Sequence, residues 1–163
     1  MKYYFKENFH LIYADGQLYD ENNDVAYEYE NKTIFFPEID LYKDGEKIGY
    51  VKEQFKWFLR SYDIYHHDEY VARINQELSF LKSKLSIDEL GWIIDGDFLN
   101  LHYEIHDGNN VLAKVDQELF RLTKRYYIEI FDEDNEELLI LTILAINQFD
   151  KDSSSAAASS AAN

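Results

Sequence analysis

The chain contains no cysteine, which excludes a disulfide framework and thiolate chemistry. It has one proline, Pro37, beside 14 Tyr and 11 Phe. So few chain breakers among so many aromatics favour strands and a packed interior over disorder. Basic residues are scarce: 16 Lys and Arg stand against 32 Asp and Glu, for a net charge of −16. That balance opposes broad electrostatic binding to DNA, RNA or an anionic membrane, and leaves only a local basic patch to hold an anion. The opening residues, MKYYFKENFH, lack the uninterrupted apolar core of a secretory signal, so a cytoplasmic setting is expected. No GxSxG, P-loop or GxGxxG motif occurs, and no nucleophile stands in a recognisable context. Carboxylate pairs are plentiful, but with 32 acids they arise by chance. The expectation is a non-enzymatic protein without a cofactor.

What is present is organised around residues 137–149, ELLILTILAINQF. Between Leu138 and Ile146 only Thr142 is polar, so a helix here has no solvent face. Such a nine-residue run is about 14 Å long, too short for a bilayer core of ~30 Å. It is therefore expected to be a helix buried in a protein shell, with Leu138, Leu141, Ile143, Leu144 and Ile146 in the core. Asp134 and Glu137 have the spacing of a capping box. The acids Asp132, Glu133, Asp134, Glu136 and Glu137 complement the positive end of the helix dipole.

The shell is written as a repeat of 23 residues. Leu18-Tyr19, Leu41-Tyr42 and Ile64-Tyr65 recur at that spacing, each followed by a polar turn: DENND, KDGE and HHDE. An aliphatic residue and a small one follow: Val25-Ala26, Ile48-Gly49, Val71-Ala72. A fourth copy carries Ile105, the turn HDGNN and Leu112-Ala113, displaced by 41 residues from the third. The intervening LSIDELGWIIDGDFLNL reads as one extra hairpin around Gly91 to Phe98. Alternation with period 2 on both sides of an Asp-Gly or Asn-rich turn is a hairpin signal. FKENFHLIYADG reads as a first partial hairpin, and Pro37 belongs on a loop or strand end. A fifth unit begins with the strand Tyr126–Phe131, but the apolar helix replaces its second strand. A solenoid has no place for a helix buried on all sides, whereas a closed barrel does. The fold expected is mainly β: a closed antiparallel barrel of ten to twelve strands around a buried C-terminal α-helix. Residues 1–152 form this domain, and the Ser/Ala-rich stretch 153–163 is expected to be a disordered tail.

The repeated hairpins, the segment Gly91-Trp92 with Asp95-Gly96-Asp97-Phe98, and the closing DEDNEELLILTILAIN resemble the LURP-one-related family. That family belongs to the tubby C-terminal-like superfamily, with phospholipid scramblases as more distant relatives. The resemblance spans about residues 1–150 and implies a twelve-stranded barrel around a central hydrophobic helix. Tubby domains bind phosphoinositides through basic residues on the barrel wall, but no motif here matches those residues one for one. The cysteine-rich palmitoylation segment of scramblases is absent.

Candidate sites are few. His10, His66, His67, His102 and His106 show no metal-ligand spacing, so no metal is expected. Asp95-Gly96-Asp97 lacks the longer series of a calcium loop and reads as a β-turn. Tyr3, Tyr4, Phe5, Phe55, Trp57, Phe58, Trp92 and Phe98 are expected to pack between wall and helix rather than line a ligand cavity. Arg60, Lys84 and Lys124-Arg125 fall near matching repeat positions, with Lys82 close by. Equivalent hairpins would collect them at related strand ends, as a small basic rim for a phosphorylated lipid headgroup or partner. The leading expectation is a binding or scaffold module with an unknown protein or lipid partner. Peripheral phospholipid or phosphoinositide binding through that rim is the first alternative, an enzyme of unknown class whose site only the fold assembles is the last, and no nucleic acid or transmembrane segment is expected.

Overall fold

The structure is a computed structural model describing residues 1–5, 15–32, 37–56, 59–75, 84–97, 100–120 and 123–160. The side chains of 56, 59–60, 84, 117–120, 123–125 and 149–160 lie outside the description. Among the described residues twelve strands follow one another: β1 (Lys2–Phe5), β2 (Gly16–Tyr19), β3 (Val25–Asn31), β4 (Glu38–Lys43), β5 (Glu46–Lys56), β6 (Leu59–His66), β7 (Glu69–Asn75), β8 (Lys84–Ile87), β9 (Trp92–Asp97), β10 (His102–Asp107), β11 (Asn110–Phe120) and β12 (Thr123–Ile130). One helix, α1 (Glu136–Ser160), ends the chain after a 3-10 turn at Glu133–Asn135. The strands make one antiparallel sheet in the order β7-β6-β5-β4-β3-β2-β1-β12-β11-β10-β9-β8. The first strand thus sits in the middle, paired with both β2 and β12. The sheet curls until β7 and β8 lie against each other. Across that seam the Tyr70 hydroxyl donates to Glu89 Oε1 at 2.9 Å. The expected barrel is therefore present and nearly closed.

Alternation puts one face of every strand on the helix. Leu18, Tyr27, Ile39, Leu41, Ile64, Ile94, Ile105 and Ile128 are at most 1% exposed. From Leu138 to Gln148 no helix residue exceeds 9%, so Leu138, Leu141, Ile143, Leu144 and Ile146 are core as expected. The small residue of each repeat now has a physical role. Gly49, Ala72 and Ala113 pair with the core residues Leu41, Ile64 and Ile105, and so face the helix. A Cβ on Gly49 would lie 2.7 Å from Leu141 Cδ1. Small side chains at these positions let the helix lie close to the wall.

The turns follow the sequence reading in most places. Gly45 and Gly108 have φ of +79° and +57°, a left-handed backbone that only glycine adopts without strain. Pro37 immediately precedes β4, where its missing N–H costs no ladder bond, and its carbonyl accepts from Glu53 N at 2.9 Å. The inserted hairpin is β8–β9, turning at residues 88–91. Asp95-Gly96-Asp97 is not a turn. It closes β9, with Gly96 opposite Tyr103, where a Cβ would meet the His102 carbonyl oxygen at 2.6 Å. Asp97 instead opens the next connection, accepting from the Asn100 amide at 3.1 Å. The expected capping box is also absent. Asp134 lies within the 3-10 turn, and the Glu137 carboxylate reaches the wall instead. Of the aromatics assigned to the core, Tyr3, Phe5 and Trp92 are buried. Tyr4 is on the other face of β1, stacked on Tyr19 with ring centres 5.9 Å apart. Phe55 is 60% exposed, beyond the last apolar core residue of its strand, Val51. Trp57, Phe58, Phe98 and His10 lie outside the described residues. The helical backbone continues into the Ser/Ala stretch as far as Ser160, in keeping with the high helix propensity of Ala.

Candidate functional site

Strict antiparallel alternation gives the barrel two ends of different character. Even-numbered strands all end where the tight turns lie, and there α1 enters the interior. They all start at the opposite end.

At the entry end, charged and aromatic groups converge on the first two helix residues. Glu136 is 6% exposed and accepts a hydrogen bond from the Tyr27 hydroxyl. Lys43, the last residue of β4, places Nζ 3.5 Å from Glu136 Oε1, 3.6 Å from Glu137 Oε1 and 3.1 Å from the Tyr27 hydroxyl. Burial and the adjacent Glu136 carboxylate push the Tyr27 phenol well above its ordinary range. Glu137 Oε2 lies 2.9 Å from His66 Nε2 and 3.7 Å from His67 Nε2. Burial pushes the Glu137 carboxyl up, but the His66 hydrogen bond and the nearby Lys43, His66 and His67 outweigh it, leaving it below the usual range. Lys43 and His66 stand 23 residues apart, so one repeat position supplies two of the wall partners of Glu137. The sequence reading missed this constellation. The period itself was the available signal: the residue after Tyr42 and after Tyr65 ends an even strand beside the helix entrance.

Two further buried acids sit on the outer side of the wall, one repeat apart. Asp40 is fully buried under Lys32 and Lys47, with Lys47 Nζ at 2.9 Å. Burial raises its carboxyl, but the two lysines outweigh that and hold it below the usual range. Asp63 accepts from Arg73 Nη2 at 2.9 Å in a two-pronged pair. The lowered carboxyls of Asp40 and Glu137 fix the sign of the pH dependence. A depressed carboxyl stabilises the fold fully above its unfolded value and loses that contribution as the pH falls through its folded value. The ordinary values are 3.8 for Asp40 and 4.5 for Glu137. The melting temperature should therefore begin to fall below about pH 4.5. In Glu137→Gln the acid fall should be shallower, from a lower plateau at neutral pH. Melts recorded by circular dichroism from pH 8 to pH 3 check both.

At the opposite end lie the starts of β6, β8 and β12, and with them the backbones of Arg60, Lys84, Lys124 and Arg125. Lys82 lies outside the described residues. The four positions are spread out. From β12 to β8 there are four strand spacings, and two more across the seam to β6. Six spacings make an arc of about 29 Å around the sheet, and the ladders set Lys84 level with Glu129, five residues along β12 from Lys124. Arg60 and Lys124 are in register with the core-facing Tyr62 and Tyr126, whereas Lys84 and Arg125 are in the opposite register.

The other described histidines, His102 and His106, lie on the outer wall. His102 Nδ1 is 2.8 Å from Asp116, and His106 Nε2 is 3.3 Å from Glu104. Among the described residues, no helix is long and apolar enough to cross a membrane.

A family model described as LURP-one-related matches residues 1–147, nearly the whole barrel and the buried part of α1. The chain is also similar to a Bacillus subtilis (strain 168) protein named "Uncharacterized protein YxjI". The two are 33% identical over 73 residues, which cover 45% of this chain and 44% of that protein. The match thus spans less than half the length of this relative. No solved structure matches the chain.

Proposed function

The chain belongs to the LURP-one-related family, and from that premise we propose that it is a non-enzymatic cytoplasmic module that binds its partner on the outer surface of the barrel. The observation that carries this reading is the filled interior. Barrels of comparable strand number that bind small molecules do so in a lumen. Here that space holds Leu139, Ile140, Leu141, Ile143 and Leu144, each at most 1% exposed. A carboxyl serving as general acid or base near neutrality works best when its pKa is raised. Among the described residues the displaced carboxyls, Asp20, Asp40 and Glu137, are all lowered.

A second reading is favoured by the common end of β6, β8 and β12. Phosphorylated lipid headgroups at a membrane surface would meet Arg60, Lys124 and Arg125 at the strand starts, with Lys84 set back along the wall. An arc of about 29 Å is too wide for one headgroup, so such binding needs several at once. It would also be weakened by added salt, since exposed contacts are screened within about 8 Å at physiological ionic strength. A flotation assay with phosphatidylserine and phosphoinositide vesicles at two salt concentrations separates the readings. No binding to phosphatidylserine is expected from a chain of net charge −16. Phosphoinositide binding should be weak at most, salt-sensitive and lost in an Arg60→Glu/Lys124→Glu double variant. Strong binding that survives the double variant removes the basic rim. Absence of binding to every vesicle favours a protein partner, which is the outcome we expect.

A further inference from the structure

We propose that His66, His67 and Glu137 form a binding site for a divalent transition-metal ion of the zinc class, where the central helix enters the barrel. The inference is independent of the basic rim, which lies at the other end.

Geometry is the first support. A tetrahedral ion with donors about 2.0–2.1 Å away places those donors about 3.3 Å from one another. Glu137 Oε2 lies 2.9 Å from His66 Nε2 and 3.7 Å from His67 Nε2, on either side of that spacing. One donor atom from each of the three residues falls within 4.8 Å of the other two. The imidazoles lie with ring centres 4.1 Å apart, presenting two nitrogens to one carboxylate.

The frame holding these donors is rigid. His66 ends β6 and is laddered to Gly49 on one side and Glu69 on the other. The His67 amide donates to the Ile48 carbonyl at 2.9 Å. Glu137 is the second residue of α1, fixed by the burial of the helix that follows. The turn between β6 and β7 is also unusual in composition. His67 and Asp68 have φ of +49° and +63°, a pair of left-handed positions that favours Asn-Gly. The corresponding β4–β5 turn uses Asp44-Gly45. A histidine at the first of these positions carries a backbone penalty, and its effect is to bring the second imidazole beside the first.

Charge and chemistry point the same way. Two imidazoles and one carboxylate suit zinc and its neighbours, whereas calcium and magnesium take oxygen ligands. The positive helix end and Lys43 oppose a cation here. Glu133, Asp134 and Glu136 offset the helix end, and Lys43 engages Oε1, leaving Oε2 to the imidazoles. Asp68 and Glu69 add negative charge at the adjoining turn. His67 is 64% exposed, so the fourth coordination position opens to solvent. A bound ion would pin the helix entrance to the β6–β7 hairpin.

The test uses the full chain freed of metal with a chelator. Titration with zinc by calorimetry should show one site. Zinc at 100 times its dissociation constant should raise the melting temperature by about 5–10 °C. Calcium and magnesium should leave it unchanged. Cobalt(II) should develop the intense visible absorption of a tetrahedral complex. His67→Asn keeps a residue that tolerates positive φ and removes one donor, so affinity should fall at least tenfold. Glu137→Gln should do the same, and should it fail to fold, the exposed His67 variant decides alone. His102→Asn, at the separate His102–Asp116 pair, should bind as the wild type does. Absence of zinc binding, or binding unchanged in His67→Asn, overturns the site and leaves a His66–Glu137 hydrogen bond in its place.

Discussion

Leu141→Asp should abolish folding. Leu141 is fully buried, and its Cδ1 lies against the backbone of β5 at Gly49. The substitution removes a packed side chain, a loss of about 2–5 kcal/mol in comparable cores. It also places a carboxylate where the surrounding wall is apolar, at a cost of several kcal/mol more. Together these match the ~5–15 kcal/mol that holds an ordinary domain together. Circular dichroism melts should show no cooperative transition, and the protein should be recovered insoluble. Leu141→Met conserves volume and should cost under about 1.5 kcal/mol, which separates the effect of charge from that of any change at the position. Deleting residues 136–163 should be as damaging as the Asp variant. Deleting 153–163 should leave the melting temperature where it was, and this deletion tests the proposed domain boundary at residue 152. A fragment 1–135 that unfolds cooperatively would refute the helix as the organiser of the barrel.

Gly49→Val should give the next largest loss. Gly49 has no left-handed backbone, so its requirement is space alone. A Cβ there would sit 2.4 Å from the Tyr65 carbonyl oxygen and 2.7 Å from Leu141 Cδ1. Leu141 can turn aside, but the carbonyl belongs to β6 and cannot retreat without disturbing the β5–β6 ladder. Overpacking of this kind costs about 1–3 kcal/mol, and a disturbed ladder adds to it. For a combined loss of about 3 kcal/mol, at about 2–4 °C per kcal/mol for a chain of this size, the melting temperature should fall by roughly 6–12 °C. Even Gly49→Ala should destabilise, although Gly→Ala in an open strand usually stabilises by about 0.4–1 kcal/mol. Gly45→Val provides the contrast. A Cβ on Gly45 meets nothing within 4 Å, so only its positive φ is strained, at a cost of about 1–2 kcal/mol. A melting temperature raised by Gly49→Ala would show that helix and wall do not approach as closely as the geometry has them.

The two predictions draw on different layers of information. The helix could be read from the sequence because its signal is local: an apolar run with no polar face has only one stable place, inside a shell. The hairpins were legible for the same reason, since period 2 around a turn residue encodes an element and the face it buries. The small residues at Gly49, Ala72 and Ala113 were visible as a repeat, yet their reason was not. Only the helix lying against them shows that they make room.

Local pattern along the chain thus encodes the elements, their inward faces and the buried helix. Which groups from distant repeats meet depends on how the sheet curls and closes. Glu137 had a local partner available in a capping box with Asp134, but closure of the barrel offered His66 and Lys43 instead. His66 lies 71 residues away in the chain, beyond the reach of any window of periodicity. Asp95-Gly96-Asp97 has the composition of a turn, yet β10 on one side and β8 on the other keep it in the ladder. Phe55 has the right residue type and register for the core, but its strand runs past the last apolar residue it can pack beside. Side-chain pattern is encoded residue by residue, whereas the pairing of ends depends on sheet curvature and closure, which belong to the whole chain at once.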